Sequence, residues 1–397
     1  MAASDLTSLA FLMKRDYSSR QTEEIAMRDH LLFSKINKIG GFVGDAHFYK
    51  IKYGNPQGIG GTLAGAQAAV SSSKGKQLQM SRKAKYGTIT LNGEAMAAAT
   101  SQGAFNEIVY TETDSVLEEM GDSFAFDLYR GGYGTRGGPI TLSSNTVSGL
   151  GDDARNFKVG MTVVGSNADI TGASLRSGST TVAAVDEDAG TIELTSAAGI
   201  SGLATGDYLF RISDPGTCME GLAALTPLSA PTSGDSFRGI SRFADIRRLA
   251  GVRLDDTSEY LERNLGRLAV RISQLGKKVS DAYANPVNVY NATQRLGAKI
   301  EYAEGGGGAT HGFEYIMIAT PAGNVRLWSD ADCPTNRAYL CNSARHYLKH
   351  LRELPHIIMD DQQRFLRAAA ADDVELRARG WVNYAQDDPG CFGVCSV

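Results

Sequence analysis

FNEIVYTETDSVLEEMGDSFAFDLYR, from Phe105 to Arg130, is the stretch on which the reading of this chain turns. Phe105, Val109, Val116, Met120, Phe124 and Leu128 recur at helical spacing, so they form one apolar stripe that a sheet or another helix must cover. The other side carries Glu107, Glu112, Asp114, Glu118, Glu119, Asp122 and Asp127, with no Lys or Arg before Arg130. A long helix of one sign repels itself unless a basic partner lies across it. A solvated acidic face is the plainer reading of the stretch taken alone. Gly131-Gly132 then ends the helix as a C-cap.

Upstream, His47, Tyr49, Ile51 and Tyr53 alternate with mostly polar neighbours and read as a strand with one apolar face, and a returning strand is expected at Lys85 to Leu91. Between them, Gly54 to Lys83 is rich in Gly, Ala, Ser and Gln, with almost no large apolar residue before Leu78 and Met80. Connections in compact domains usually run about 4 to 6 residues, so this one is either disordered or used. Its charges, Lys74, Lys76, Arg82 and Lys83, continue into Lys85, and no Asp or Glu occurs between Asp45 and Glu94. A basic hairpin thus precedes an acidic helix, and opposite fields favour laying the hairpin of one copy over the helix of another. Lys83 and Lys85 against Glu118 or Glu119 of a neighbour is the pairing this suggests, with Lys74, Lys76, Arg82, Glu112 and Asp122 as further inter-subunit contacts.

Residues 1 to about 40 hold two short amphipathic pieces with too little apolar matter for a core. A frayed end and an arm docked on a neighbouring subunit are both open. After Gly131 the chain turns glycine-rich and then strand-rich: Phe157–Val164, Thr180–Val185, Thr191–Thr195 and Tyr208–Ile212 make an all-β block over about 139–213, with a turn at Asp188-Ala189-Gly190. A second helix is striped by Leu261, Leu265, Leu268, Ile272, Leu275 and Val279 behind the N-cap candidates Asp255, Asp256 and Thr257. Asn285-Pro286 opens a short helix to Leu296, strands follow at Glu314–Ala319 and Asn324–Trp328, and Val374–Tyr384 closes like a strand. Ala338–Leu340 and His346–Leu351 suit either strand or helix.

Chemistry-bearing motifs fail on context. Gly132, Gly134 and Gly137 match G-x-G-x-x-G but follow a helix and precede Pro139, the reverse of a dinucleotide fingerprint. The loop Gly305–Gly308 has no Lys-Ser or Lys-Thr behind it. Asp186 and Asp188 lack the bidentate Glu of a calcium loop. His346 and His350 stand four apart without an acidic third ligand, and no H-E-x-x-H or G-x-S-x-G is present. No catalytic residue, cofactor or metal is therefore expected. The five cysteines are odd in number and mostly scattered, which points to free thiols. No apolar run approaches the roughly 20 residues of a membrane span, and the first 20 residues lack a signal peptide's h-region. A soluble cytoplasmic chain is the expectation. The net charge of −4 argues against a surface that grips phosphates through its overall field.

This order of parts resembles the major capsid proteins of tailed bacteriophages, built on the Hong Kong 97 coat fold, an α+β architecture. In the resemblance, 1–45 is the N-terminal arm, 46–91 the E-loop, 92–138 the peripheral domain with its spine helix, 139–213 an all-β insertion domain, 214–240 peripheral again, 241–355 the axial domain and 356–397 the closing peripheral strands. Asn285-Pro286-Val287-Asn288 and Asp332-Cys333-Pro334-Thr335-Asn336-Arg337-Ala338-Tyr339-Leu340 are similar to axial-domain stretches of these coats. The resemblance implies a virion structural protein, assembled in a bacterial cytoplasm as hexamers and pentamers into an icosahedral shell around double-stranded DNA, with a portal protein, a decoration protein and no membrane. Too few residues precede the hairpin for a built-in scaffolding segment, so a separate scaffolding protein is expected. Some relatives crosslink a hairpin Lys to an Asn of a neighbour, for which Lys74, Lys76 and Asn383 are the residue types here. An encapsulin-type compartment shares the fold, and a cytoplasmic enzyme with a β accessory domain is the rival outside it.

Overall fold

The computed structural model describes residues 26–27, 30–92, 102–169, 175–296, 315–358, 366–367 and 373–397, with backbone alone at 92, 102–108 and 366–367. Residues 1–25 of the expected arm, the side chains of Phe105 and Glu107, the glycine loop 305–308 and His311 lie outside the described residues. Two compact units are present: residues 1–47, 81–126 and 347–383 form one, and 48–80, 127–346 and 384–397 the other.

The first unit is built on the strand Asp373–Gln386, whose residues 373–382 pair antiparallel with Lys83–Asn92, Val382 opposite Lys83 and Asp373 opposite Asn92. Its other edge is met in succession by Leu366–Arg367, His356–Ile357 and His346–His350, and Asn37–Ile39 lies parallel beyond the last. The long helix, Gln102–Tyr129, lies on this sheet. Gly87 of the second strand has no room for a side chain, because a Cβ would come within 2.6 Å of Val116 and 3.0 Å of the Met120 sulfur; Gly380 is pressed in the same way against Phe124. Glycine inside a helix costs about 1 kcal/mol relative to alanine, and Gly121 is explained by the closest approach of all. A Cβ there would stand 2.1 Å from the carbonyl oxygen of Ala26. Phe33 of the short helix Leu31–Lys35 stacks on Phe124 at 6.0 Å, and His30 Nε2 lies 3.0 Å from Asp122 Oδ1.

The larger unit holds a six-stranded mixed sheet in the order Val252–Leu254, Gly393–Ser396, Arg337–Cys341, Asp281–Ala284, Gly323–Ser329 and Tyr315–Thr320. Helices Leu261–Ser273 and Pro286–Leu296 supply Leu261, Leu265, Leu268, Ile272, Val289 and Ala292 to its core. The stripe was legible as far as Ile272, but the helix ends at Ser273, short of Leu275 and Val279, and starts at Leu261 rather than at the Asp255–Thr257 caps; Asp256 instead binds the Ser258 hydroxyl and pairs with Arg267 at 2.6 Å. Asn285 does cap the following helix, its Oδ1 accepting from Val287 N at 3.0 Å, while its Nδ2 donates to Cys333 O at 3.0 Å. Asn288 Nδ2 donates to Thr335 O at 2.6 Å, so the two motifs read from sequence are joined by side-chain amides. Both ambiguous runs are strands, and the last strand, Gly393–Ser396, enters this sheet rather than staying with the closing strand before it. Only Gly fits at 393, where a Cβ would come within 2.8 Å of Leu268.

The β block forms a seven-stranded sheet that starts at Thr135–Gly137, ahead of the expected position 139, and runs in the order Thr135–Gly137, Tyr208–Arg211, Thr162–Ser166, Thr180–Asp186, Thr191–Leu194, Thr146–Ser148, Thr141–Ser143. Its core is Ile140, Val147, Phe157, Val163, Val182, Ile192, Leu194 and Leu209. Asp186 Oδ1 accepts from Ala189 N at 2.9 Å, which closes the turn and accounts for the aspartate there. Replacing Gly121 by valine forces the helix off the Ala26 backbone and lowers stability by about 3 kcal/mol, read as a fall in the urea midpoint.

Candidate assembly surface

The strands Ala46–Gly54 and Lys74–Ser81 form a two-stranded ribbon, and the chain between them carries a short helix, Leu63–Ala68, capped by the Thr62 hydroxyl accepting from Gly65 N at 3.1 Å. The partner of the first strand is thus 74–81; the strand expected to return to it, around Lys85–Leu91, pairs with 373–382 instead. The ribbon buries Tyr49, Ile51, Leu78 and Met80. Its excursion is open: Ile59, Leu63 and Val70 are 87%, 77% and 72% exposed. Three large apolar side chains standing this far out on one excursion are costly to hydrate and mark a contact site.

One buried guanidinium fastens the ribbon. Arg238, its side chain 2% exposed, donates from Nε to Glu220 at 2.7 Å, and to the Tyr49 hydroxyl and the Tyr384 carbonyl at 2.8 Å each. Its plane faces Phe237 at 5.2 Å, and its own carbonyl accepts from Gln79 N at 3.1 Å. Burial pushes the Tyr49 phenol up although Arg238 pulls the other way, so the hydroxyl remains a neutral acceptor. The planar fork alone suits this role; a lysine offers no equivalent geometry.

The sequence-derived contact residues are dispersed over both units. Lys74 is exposed and Lys76 half-buried on the ribbon. Arg82 stands over the Phe42 ring at 5.9 Å, and Lys83 and Lys85 sit in the strand paired with Val382 and Gly380. Glu112 and Glu118 are exposed and Glu119 is half-buried, while Asp122 is engaged by His30. Lys83, Lys85, Glu118 and Glu119 all have interactions inside the chain. Their strand and helix pack against each other within one copy at Gly87. Asp127, placed on the exposed acidic face by periodicity, is fully buried and accepts from Met219 N at 3.2 Å. Asn383 is also fully buried and donates to Ser81 O at 2.8 Å, which removes it as an accessible crosslinking partner for Lys74 or Lys76. The Arg238 clamp was missed; Arg238 stands alone in a loop, with no local pattern to announce it.

The remaining chemistry is packing. His346 and His350 lie on a strand; His346 is buried against Phe392 with Nδ1 3.1 Å from the Tyr384 hydroxyl, and His350 Nδ1 lies 2.8 Å from Arg352 O. Gly134 is pressed against Asp214 and Cys218, a packing reason for a glycine in the discarded fingerprint. All five cysteines are free and buried. Among the described residues no His, Cys, Asp or Glu cluster holds metal-binding geometry, and no helix is long and apolar enough to cross a membrane.

No family model and no curated protein matches the sequence. Solved structures do. One that aligns is the capsid asymmetric unit of cyanophage A-1(L), at a TM-score of 0.54 and 10% identity, covering 92% of this chain and 91% of that one. The chain has the Hong Kong 97-type coat fold. The holo-SrpI encapsulin complex of Synechococcus elongatus (TM-score 0.44, 9% identity, 100% and 96% covered) and a virus-like particle from Pyrococcus furiosus (0.42, 7%, 94% and 95%) are similar at a level too low to add to this.

Two measurements test the anchoring. Arg238→Met takes away the guanidinium that donates to the Glu220 carboxylate and the Tyr384 carbonyl and costs about 3 kcal/mol, measured as a lower thermal midpoint. His346, held neutral by burial, titrates at about 4 instead of its ordinary 6.5. The unfolded chain binds the proton first as pH falls, so this stabilisation is complete above about 6.5 and is lost on descending toward 4, by about 3 kcal/mol in all. His346→Gln flattens that part of the stability profile.

Proposed function

We propose that this chain is the major capsid protein of a tailed phage or phage-like particle, a structural protein assembling as hexamers and pentamers into an icosahedral shell around double-stranded DNA. The observation that carries the reading is the ribbon excursion of a coat fold that leaves Ile59, Leu63 and Val70 in water. A surface of this kind gains free energy only when another protein covers it, and a second copy of the chain is the partner always at hand during assembly. The excursion itself is uncharged, but the ribbon strands that carry it are basic through Lys50, Lys52, Lys74 and Lys76, with no carboxylate between Asp45 and Glu94, which repels like ribbons and so orients each toward a less basic surface of its neighbour.

In this reading the particle forms in the host cytoplasm, a separate scaffolding protein guides assembly, and portal and decoration proteins are further partners. The buried Arg238 clamp holds the base of the ribbon so that its tip is presented in one geometry, which limits the entropy lost on docking.

The test is sedimentation and negative-stain microscopy of the chain expressed alone and with a candidate scaffold. Closed shells, or free hexamers and pentamers, are expected from the wild type. The triple variant Ile59→Ser, Leu63→Ser, Val70→Ser should yield folded subunits that do not assemble. A wild-type monomer under both conditions overturns the reading, and shells loaded with an enzyme rather than DNA would reassign it to a protein compartment.

A further inference from the structure

A second feature of the larger unit does not follow from shell formation. Where the end of the ribbon's first strand meets the segments around Arg248, Lys277, Arg345 and Asp388 there is an open cavity of about 720 Å³, walled mostly by polar residues. Four cations reach it from four separate segments: Lys52 on the ribbon, Arg248, Lys277 and Arg345. Two are neutralised locally. Arg248 pairs with Asp245 at 2.7 Å, and Lys277 pairs closely with Asp388, which also accepts from the Cys391 thiol. Lys52 and Arg345 are exposed and form no ion pair among the described residues, and one exposed carboxylate, Asp387, lines the same cavity, its backbone amide donating to Arg345 O at 3.0 Å. The amides of Asn55 and Gln57 line the same rim.

Lys52 and Arg345 outnumber the one remaining carboxylate, and beside neutral amide donors they match the oxygens of phosphate groups, with the planar Arg345 fork suited to bidentate capture and Lys52 to a point charge. The cavity is open along one side, and Lys50, Lys74 and Lys76 continue positive charge along the ribbon, so the favoured ligand is an extended polyanion rather than a single ion. Tyr53 supplies an aromatic ring at the rim. An acidic peptide has no use for that ring, whereas every nucleobase presents a π-face to it.

We propose that this cavity binds a nucleic-acid strand, with backbone phosphates on Lys52 and Arg345 and a base against Tyr53. The site is independent of the assembly reading, and it is tested on dissociated subunits of the full chain so that failure to bind and failure to assemble are separate results. The probe is a fluorescein-labelled single-stranded DNA 20-mer followed by anisotropy over a salt series.

Lys52→Ser/Arg345→Ser, both surface changes, should weaken binding about tenfold at low salt and make the log K against log salt plot shallower by about 1.4, the value for two lost phosphate contacts on a single strand. Tyr53→Ala should weaken binding by about tenfold without changing that slope. Arg263→Ser, on a helix and outside the cavity, should bind as the wild type does, with circular dichroism confirming that every variant is folded. Unchanged affinity in the double variant overturns the proposal, as does displacement of the DNA by polyglutamate of equal charge as readily as by unlabelled DNA.

Discussion

The structure depends on how the long helix ends. Its last turns bury two polar groups, Asp127 and Tyr129, each almost wholly out of water. A buried carboxylate or phenol without a partner costs several kcal/mol, so both must be met. Asp127 is met by the amide of Met219, and Tyr129 donates to Asp330 Oδ2 at 2.7 Å. Residues almost a hundred and about two hundred positions downstream are thereby recruited to one helix terminus. Gly221 packs so tightly there that a Cβ would lie 2.2 Å from the Leu128 carbonyl, and its amide donates to Arg130 O at 3.1 Å.

That arrangement explains how a seven-stranded sheet can occupy the middle of the chain without disturbing what surrounds it. The chain leaves the helix through Tyr133 and Gly134 and comes back through Asp214 to Gly221, and the two passages are stitched together: Gly216 N donates to Tyr133 O at 3.0 Å, and buried Arg136 faces Asp214 at 3.4 Å. Entry and exit share one place. The helix terminus sees the same returning segment whatever the sheet between them contains, so the sheet is free to build its own core.

Much of this was legible in the sequence, and the failures have physical causes. Helical periodicity found Met120 and Phe124 because they face one sheet, and found Leu128, which is buried, but put Asp127 in water, since a period cannot reveal that the final turns are covered on every side. The coat architecture followed from the order of elements, whereas the pairing of the ribbon did not. Lys74–Ser81 offers only Leu78 and Met80 as inward residues among polar neighbours, so the more apolar Lys83–Asn92 looked like the returning strand. The acid–base pairing of hairpin and helix rested on charge alone. Charge counts cannot distinguish one copy from two, and packing at Gly87 shows that a single chain already brings that strand and helix together. The cavity at Lys52 was invisible because its four cations come from segments up to about three hundred residues apart; only the absence of acid between Asp45 and Glu94 hinted at it.

The charge of the whole chain and that of the cavity pull in opposite directions, and their magnitudes decide what the cavity can be used for. A net charge of −4 repels nucleic acid at long range, but at physiological ionic strength that field decays over about 8 Å. Lys52 and Arg345 at close range, offset only in part by Asp387, are not screened away so readily, although with each phosphate contributing a slope of about −0.7 on a single strand, a fourfold rise in salt removes about sevenfold in affinity. A nucleic-acid contact of the proposed kind is therefore shallow and salt-labile. A wall that held each stretch of nucleic acid through many such contacts would arrest its movement. On the proposed nucleic-acid reading, one such cavity set in an otherwise acidic chain holds a strand loosely enough for it to slide.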